Sequence, residues 1–261
     1  FLNGGAGINV LSRHAGAKVI VADLGVASDF KNVSELKNKK VNYGTKNFIK
    51  QPAMTKEEAI KSIEYGIELF EEEYKNGIDI VGIGEMGIGN TTPSSTITAI
   101  ITGKSVESVT GRGSGINDSN FEKKVKLIKD AIKLHNPKSD DAIDILQKVG
   151  GYEIGGMTGI ILAAASKRVP IVVDGFISGA SLLLAYLLSN NIKDYIFASH
   201  CSVESGHKVI LDYLGLKPIL DLNLRLGEGT GAALAFLIIE AGLKILNEMA
   251  TFESAGVSNK S

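Results

Sequence analysis

The sequence predicts an α/β fold: a parallel sheet flanked by helices. Three observations carry this. Short β-branched runs alternate with longer helical ones along the chain, a pattern that produces parallel strands joined by crossovers. Strand candidates end at glycines or polar residues: Asp23 before Gly25, Gly84-Glu85, Asp174-Gly175 and Ser199-His200. Many of the 30 glycines fall in the loops that follow, where ligands of open parallel sheets bind.

The elements read in order as follows. Residues 18–23 form a strand, and 31–50 a polar, irregular loop. Thr55 and Glu58 make a capping box for a helix over 56–75, closed by Asn76-Gly77, with Ile60, Ile63, Ile67 and Phe70 on one face. A buried strand at 79–84 runs into Glu85-Met86-Gly87-Ile88-Gly89-Asn90-Thr91-Thr92-Pro93. Thr91 or Thr92 caps the next helix, and Pro93 suits its first position. That helix ends near Thr102, Gly111-Arg112-Gly113-Ser114-Gly115 is a loop, and another helix starts at Asp118 or Ser119. Gly150-Gly151-Tyr152-Glu153-Ile154-Gly155-Gly156-Met157 opens an apolar helix around 158–167. Strands are expected at 170–174, 195–199 and 218–221. Helices are expected from Ser178, over 203–214 to Gly215, and from near Thr230 past Met249.

Composition bounds the function. The chain has 261 residues, 44% hydrophobic and 22% charged, as in ordinary globular enzymes. A net charge of −1 gives no reason to expect nucleic acid. The single cysteine, Cys201, permits no internal disulfide and fits a reducing compartment, so a cytoplasmic location is expected. The apolar runs 177–188 and 232–239 are shorter than the ~18 residues that span a bilayer, so no membrane partner is expected. The chain begins at Phe1 with no signal peptide visible, and an upstream segment is expected to be missing.

The most informative stretch is Leu226-Gly227-Glu228-Gly229-Thr230-Gly231-Ala232-Ala233-Leu234. It sets a carboxylate between glycines before a long apolar helix, where a helix start offers N–H groups to an anion. Glu228 would repel a phosphate, so it faces another part of a ligand, as a base, or it is an acid on the helix dipole. Gly82, Gly84 and Gly87 satisfy G-x-G-x-x-G, but Gly89-Asn90-Thr91-Thr92 prolongs the loop and no acid ends a second strand about 20 residues on. Gly103-Lys104-Ser105 lacks the first glycine of a Walker A loop, since residue 98 is Thr. His14, His135, His200 and His207 have no zinc-motif spacing, and no metal site is expected. A triad of Ser202, His207 and Asp174 lacks a G-x-S-x-G elbow. Cys201 beside His200 reads as a small buried hydrophobe rather than a nucleophile. The run Lys123-Lys124-Val125-Lys126-Leu127-Ile128-Lys129 has helical spacing and reads by itself as a solvated face.

Taken together, the loops resemble one family. The segments are Gly84-Glu85-Met86-Gly87-Ile88-Gly89-Asn90-Thr91-Thr92-Pro93, Gly111-Arg112-Gly113, Gly175-Phe176-Ile177-Ser178, Ser199-His200-Cys201-Ser202-Val203-Glu204 and Leu224 to Ala233. In order and over essentially the whole chain, they are similar to nicotinate-nucleotide:dimethylbenzimidazole phosphoribosyltransferases. The resemblance implies transfer of the 5-phosphoribosyl group from nicotinate mononucleotide to 5,6-dimethylbenzimidazole in cobalamin nucleotide-loop assembly. It implies a Rossmann-like α/β fold with a smaller helical subdomain from the chain ends, a homodimer, and no cofactor. The expected division is 1–16 as a remnant of that subdomain, 17–229 as the α/β nucleotide-binding domain, and 230–261 as a helix contributing to the subdomain.

The same resemblance assigns roles. Glu228 is the base that takes the N–H proton of the incoming heterocycle, and Glu85 serves the ribose or the electrostatics of the site. Gly87, Lys124 and Ser202 match positions near the phosphate, with Asn90 and Thr91 beside them, which gives Lys124 a function. Leu226 matches a position against the aromatic base. Family residues that contact the base lie upstream of the segment matching Phe1-Leu2-Asn3-Gly4-Gly5, so base selectivity stays open. The alternatives are transfer to another aromatic acceptor, such as adenine or a phenol, and a non-catalytic nucleotide-binding module.

Overall fold

The β-branched runs form the expected parallel sheet. In the computed structural model, which describes residues 1–30, 33–112 and 117–257, four strands lie side by side in chain order. They are β3 (Val81–Ile83), β4 (Ile171–Val173), β5 (Ile196–His200) and β6 (Pro218–Leu220), all parallel. Side chains alternate across the sheet. Ile171 and Val173 enter the main core, while Val172 faces Ala232, Ala235 and Phe236 of α10 (Thr230–Glu248). Parallel direction brings the carboxyl ends of the strands to one edge, where Glu85, Asp174 and His200 follow or end them.

The other face is covered by α7 (Tyr152–Ser166) and α8 (Phe176–Leu188), with α2 (Lys56–Tyr74) packed on α7. α2 opens with the expected capping box: the Glu58 N–H donates to Thr55 Oγ1 at 3.1 Å, and the Thr55 N–H to Glu58 Oε2 at 2.8 Å. Ile63 and Phe70 are buried as expected, but Ile60 is exposed. α3 (Thr91–Thr102) is polar yet mostly buried. Five of its hydroxyls are satisfied locally, since Ser94, Ser95, Thr96, Thr98 and Thr102 each donate to the carbonyl four residues back. α4 (Val106–Val109), α5 (Asp118–His135) and α9 (Ser205–Leu214) form a smaller cluster beside it. α1 (Gly7–His14) packs on α10.

Several expectations are corrected. Within the stretch 31–50 lies a strand, β2 (Leu36–Asn38), paired in parallel with β1 (Val21–Asp23) in a separate two-stranded sheet. Its polarity hid it, and its lysines have partners: Lys37 and Lys39 pair with Glu68, Glu72 and Glu73 of α2. A helix absent from the sequence reading, α6 (Ala142–Val149), is capped by Asp141 and packs on α2. The cap of α3 is Asn90 and not a threonine, so Pro93 is the third helical residue. The start of α8 is Phe176, not Ser178. α10 is 19 residues and, by length and composition, long and apolar enough to cross a membrane. Its first turns are nonetheless buried against the sheet through Ala232 and Ala235. The expected loop at Gly113-Ser114-Gly115 and the start of the 31–50 loop lie outside the described residues.

The largest correction concerns glycine. The apolar helix expected around 158–167 already runs from Tyr152, so Gly155 and Gly156 lie inside α7 and not ahead of it. A Cβ on Gly66 would lie 1.9 Å from the Gly156 carbonyl oxygen, one on Gly155 1.9 Å from Ser62 Oγ, and one on Gly159 2.0 Å from the Ile63 carbonyl oxygen. These glycines let α2 and α7 touch backbone to backbone. In an exposed helix, Gly→Ala gains about 1 kcal/mol. Here the sign reverses: Gly66→Ala is expected to lose about 1–3 kcal/mol through overpacking. Urea unfolding at constant slope checks this; a variant as stable as the parent shows that the contact opens freely.

Candidate active site

One buried carboxylate organises the carboxyl edge of the sheet. Asp174, directly after β4, is 2% exposed. Its Oδ2 accepts the Gly229 N–H at 3.1 Å, and its Oδ1 accepts those of Gly231 and Ala232 at 2.8 and 3.3 Å. Those N–H groups open α10 and have no partner within the helix. Asp174 thus caps a helix remote in sequence. Burial pushes its carboxyl up; His200 and the three N–H donors act against this.

The turn that meets Asp174 is Gly227-Glu228-Gly229, with φ of 77°, 63° and 85°. Three left-handed residues in succession are allowed because two are glycine. The Thr230 N–H closes the turn on the Gly227 carbonyl at 3.0 Å, and the Glu228 N–H donates to the Glu85 carbonyl at 3.3 Å. A Cβ on Gly84 would lie 2.1 Å from the Gly229 nitrogen. The glycines around Glu228 therefore serve backbone geometry. Glu228 precedes the cap of α10 and is not in that helix's first turn. Its Oε2 accepts the Ile8 N–H at the start of α1, at 3.0 Å.

Between these loops lies a cavity of about 460 Å³. Its wall brings together seven residues singled out from the sequence: Glu85, Gly87, Asn90, Thr91, Lys124, Ser202 and Leu226. Glu228 is not in the wall; its neighbour Gly227 is. On one side, Lys124 Nζ donates to Thr91 Oγ1 at 2.9 Å and to the Gly111 carbonyl at 3.3 Å. Burial pushes the Lys124 amine down, against the pull of nearby Glu204. Arg112 and Arg225 add two more cationic side chains to the lining.

On the other side stand carboxylates. Asn90 Nδ2 donates to Glu85 Oε2 at 2.5 Å and to Glu153 Oε1 at 3.2 Å. Burial pushes Glu85 up to about 7; Asn90 pulls it down, and Glu153 and Asp174 raise it further. Burial also raises Glu153. A Cβ on Gly87 would fall 2.4 Å from Asn90 Nδ2, so this loop lies directly on the amide.

His200 completes the wall, with His207 buried behind it. The Ser199 hydroxyl donates to the Asp174 carbonyl at 2.7 Å, so at its 2.9 Å contact with His200 Nδ1 it accepts. This assigns the Nδ1–H tautomer and leaves Nε2 of the neutral ring as an acceptor. Burial pushes His200 down, opposed by Asp174, whose Oδ1 is 3.7 Å away. Burial pushes His207 to about 3, and its Nδ1 accepts the Ser202 N–H at 2.9 Å. The triad of Ser202, His207 and Asp174 does not form: His207 takes a backbone proton, not the Ser202 hydroxyl.

The sequence reading missed Glu153 and Glu204. Glu153 lies in the first turn of α7, after its cap Gly151 and Tyr152, and an acid just past a glycine at a helix start was a usable signal. Glu204 is the cap of α9, and its carboxylate lies against Gly111, whose Cβ would fall 1.6 Å from Oε2.

A family model described as phosphoribosyltransferase matches residues 1–257. The chain is 56% identical over 259 residues to the nicotinate-nucleotide–dimethylbenzimidazole phosphoribosyltransferase of Citrifermentans bemidjiense, covering 99% of this chain and 74% of that protein. The chain belongs to this family. The protein of the same name from Dehalococcoides mccartyi strain CBDB1 is 55% identical over 260 residues, covering 100% and 74%. Among solved structures, CobT from Thermus thermophilus superposes with a TM-score of 0.95 at 39% identity, covering 100% of this chain and 78% of that one. The α/β architecture is thus that of the family.

The raised Glu85 pKa sets a pH dependence. The folded state holds this proton up to about 7, whereas an unperturbed glutamate releases it near 4.5. The resulting stability is full below about 4.5 and is lost as pH rises through 7. Glu85→Gln removes this slope and keeps an acceptor for Asn90. The variant is expected to be more stable than the parent at pH 8, by up to roughly 3 kcal/mol, with the gap closing towards pH 5. Unfolding curves at the two pH values check this; equal stability at pH 8 contradicts it.

Proposed function

We propose that this protein transfers the 5-phosphoribosyl group of nicotinate mononucleotide to 5,6-dimethylbenzimidazole, releasing nicotinate. The observation that carries the reading is the division of charge across one cavity, in a chain of this family. The lysine side suits the phosphate, where Lys124 supplies a charge-assisted donor, with Thr91, Gly87 and Ser202 beside it. The carboxylate side suits the sugar end, because positive charge sits on the pyridinium nitrogen and builds at C1′ as the bond breaks. Glu85 provides that electrostatic complement.

The bond changes balance without a metal. A ring nitrogen of dimethylbenzimidazole donates its lone pair to C1′. The C1′–N bond to nicotinate breaks, and its electron pair neutralises the pyridinium. The new ribotide then carries an N–H proton that must leave. Glu228 takes it as general base, and Leu226, 58% exposed at the cavity mouth, packs against the heterocycle. We further infer a cytoplasmic homodimer. A second copy would cover the apolar residues Ile238, Leu243, Ile245, Leu246 and Met249, each more than half exposed.

Incubation with nicotinate mononucleotide and a panel of bases tests the reaction. Product is expected with dimethylbenzimidazole, and Glu228→Gln should lower its rate by about 10²–10⁴-fold with nucleotide binding kept. Product only with adenine or a phenol reassigns the acceptor, and near-full turnover by Glu228→Gln removes the base assignment. Sedimentation equilibrium is expected to give twice the chain mass; a monomer at micromolar concentration ends the dimer reading.

A further inference from the structure

The contact between α1 and Glu228 has no structural necessity on the side of α10. α10 is capped by Asp174, and Glu228 precedes it. The Glu228 backbone is already fixed by its left-handed turn and by its N–H bond to the Glu85 carbonyl. Its side chain still has free torsions, and a misplacement of about 1 Å in a reacting group can cost on the order of 10² in rate. One group removes that freedom: the Ile8 N–H, 3.0 Å from Oε2. Oε1 accepts no hydrogen bond among the described residues.

Two features of α1 suit this contact. The helix has no acid in its first turn, and its cap residue Ala6 offers no side-chain acceptor, so Glu228 complements its free N–H groups. Its first residue is glycine. A Cβ on Gly7 would lie 2.6 Å from Leu226 Cδ2 and 3.3 Å from Glu228 Oε2. Only a residue without a side chain lets α1 come this close to both groups. The same helix start thus meets the assigned base and the side chain assigned to the heterocycle.

We propose that the Ile8 N–H is a positioning group for the reaction, holding Oε2 of Glu228 so that Oε1 is presented to the proton of the incoming heterocycle. This rests on the reading of Glu228 as the base. Ile8 touches no reacting atom and acts only through Glu228.

Ile8→Pro removes the donor. Proline is tolerated in a first helical turn because that N–H has no partner within the helix. The variant is expected to lose about 10- to 100-fold in kcat, with the KM for nicotinate mononucleotide and the melting temperature near the parent's. In a Glu228→Gln background the same change should cost nothing further, because the group it acts through is gone. Gly7→Ala keeps every amide and crowds Leu226; it too should lower kcat selectively, which covers the case of a poorly folded proline variant. An unchanged kcat in Ile8→Pro, or an equal loss in the parent and Glu228→Gln backgrounds, overturns the proposal and leaves the base assignment standing. Full turnover by Glu228→Gln overturns both.

Discussion

The whole site hangs on a carboxylate that is almost fully buried. Asp174 sits at the end of a central strand and accepts three N–H groups from the start of α10. Removing a carboxylate from water is costly unless its lone pairs are satisfied, and the helix start is equally in need of acceptors. Each requirement answers the other. The result fixes the 227–229 turn against the β3 loop, and that places Leu226 and Gly227 in the cavity wall and Glu85 beside them. Ser199 and His200 are tied to the same aspartate through its carbonyl and its Oδ1.

Around this anchor the protein concentrates negative charge where a buried surface would normally exclude it. Glu153 and Asp174 raise the affinity of Glu85 for its proton, and a single amide, Asn90, spans Glu85 and Glu153. Such an arrangement works against folding at neutral pH and suits a ligand that brings positive charge to that side. Strain and like-charge crowding of this kind are typical of functional sites. The glycines have a second role away from the site: in α2 and α7 they exchange side-chain packing for direct backbone contact.

Much of this was legible in the sequence. Short, mostly apolar runs marked all four strands of the main sheet, and the Thr55–Glu58 box fixed the start of α2. Of the strand-end polar residues, Glu85, Asp174 and His200 line one cavity. What stayed hidden depended on partners distant in the chain. β2 is polar because its lysines answer glutamates on α2, which no local pattern reveals. That Gly155 and Gly159 are there to let Ser62 and Ile63 of α2 approach has no local trace either. Glu228 could be recognised as important from its flanking glycines and the family motif, but its hydrogen bond to Ile8 spans 220 residues and has no local trace. Lys124 was told from its neighbours in the lysine run only through the family resemblance, since periodicity treats all of them as surface.

The order of strands in the sheet has a consequence for synthesis. β3, β4, β5 and β6 are laid down in the order in which they are made, so each crossover during translation adds a neighbour to an edge already present. The exception is the partner of Asp174. That residue leaves the ribosome more than fifty positions ahead of Gly229 and Gly231, the donors it needs. A nascent chain can therefore build its sheet early yet must keep the aspartate hydrated, or protonated, until α10 arrives. The carboxyl edge of the sheet is thus completed only once α10 has been made, late in synthesis.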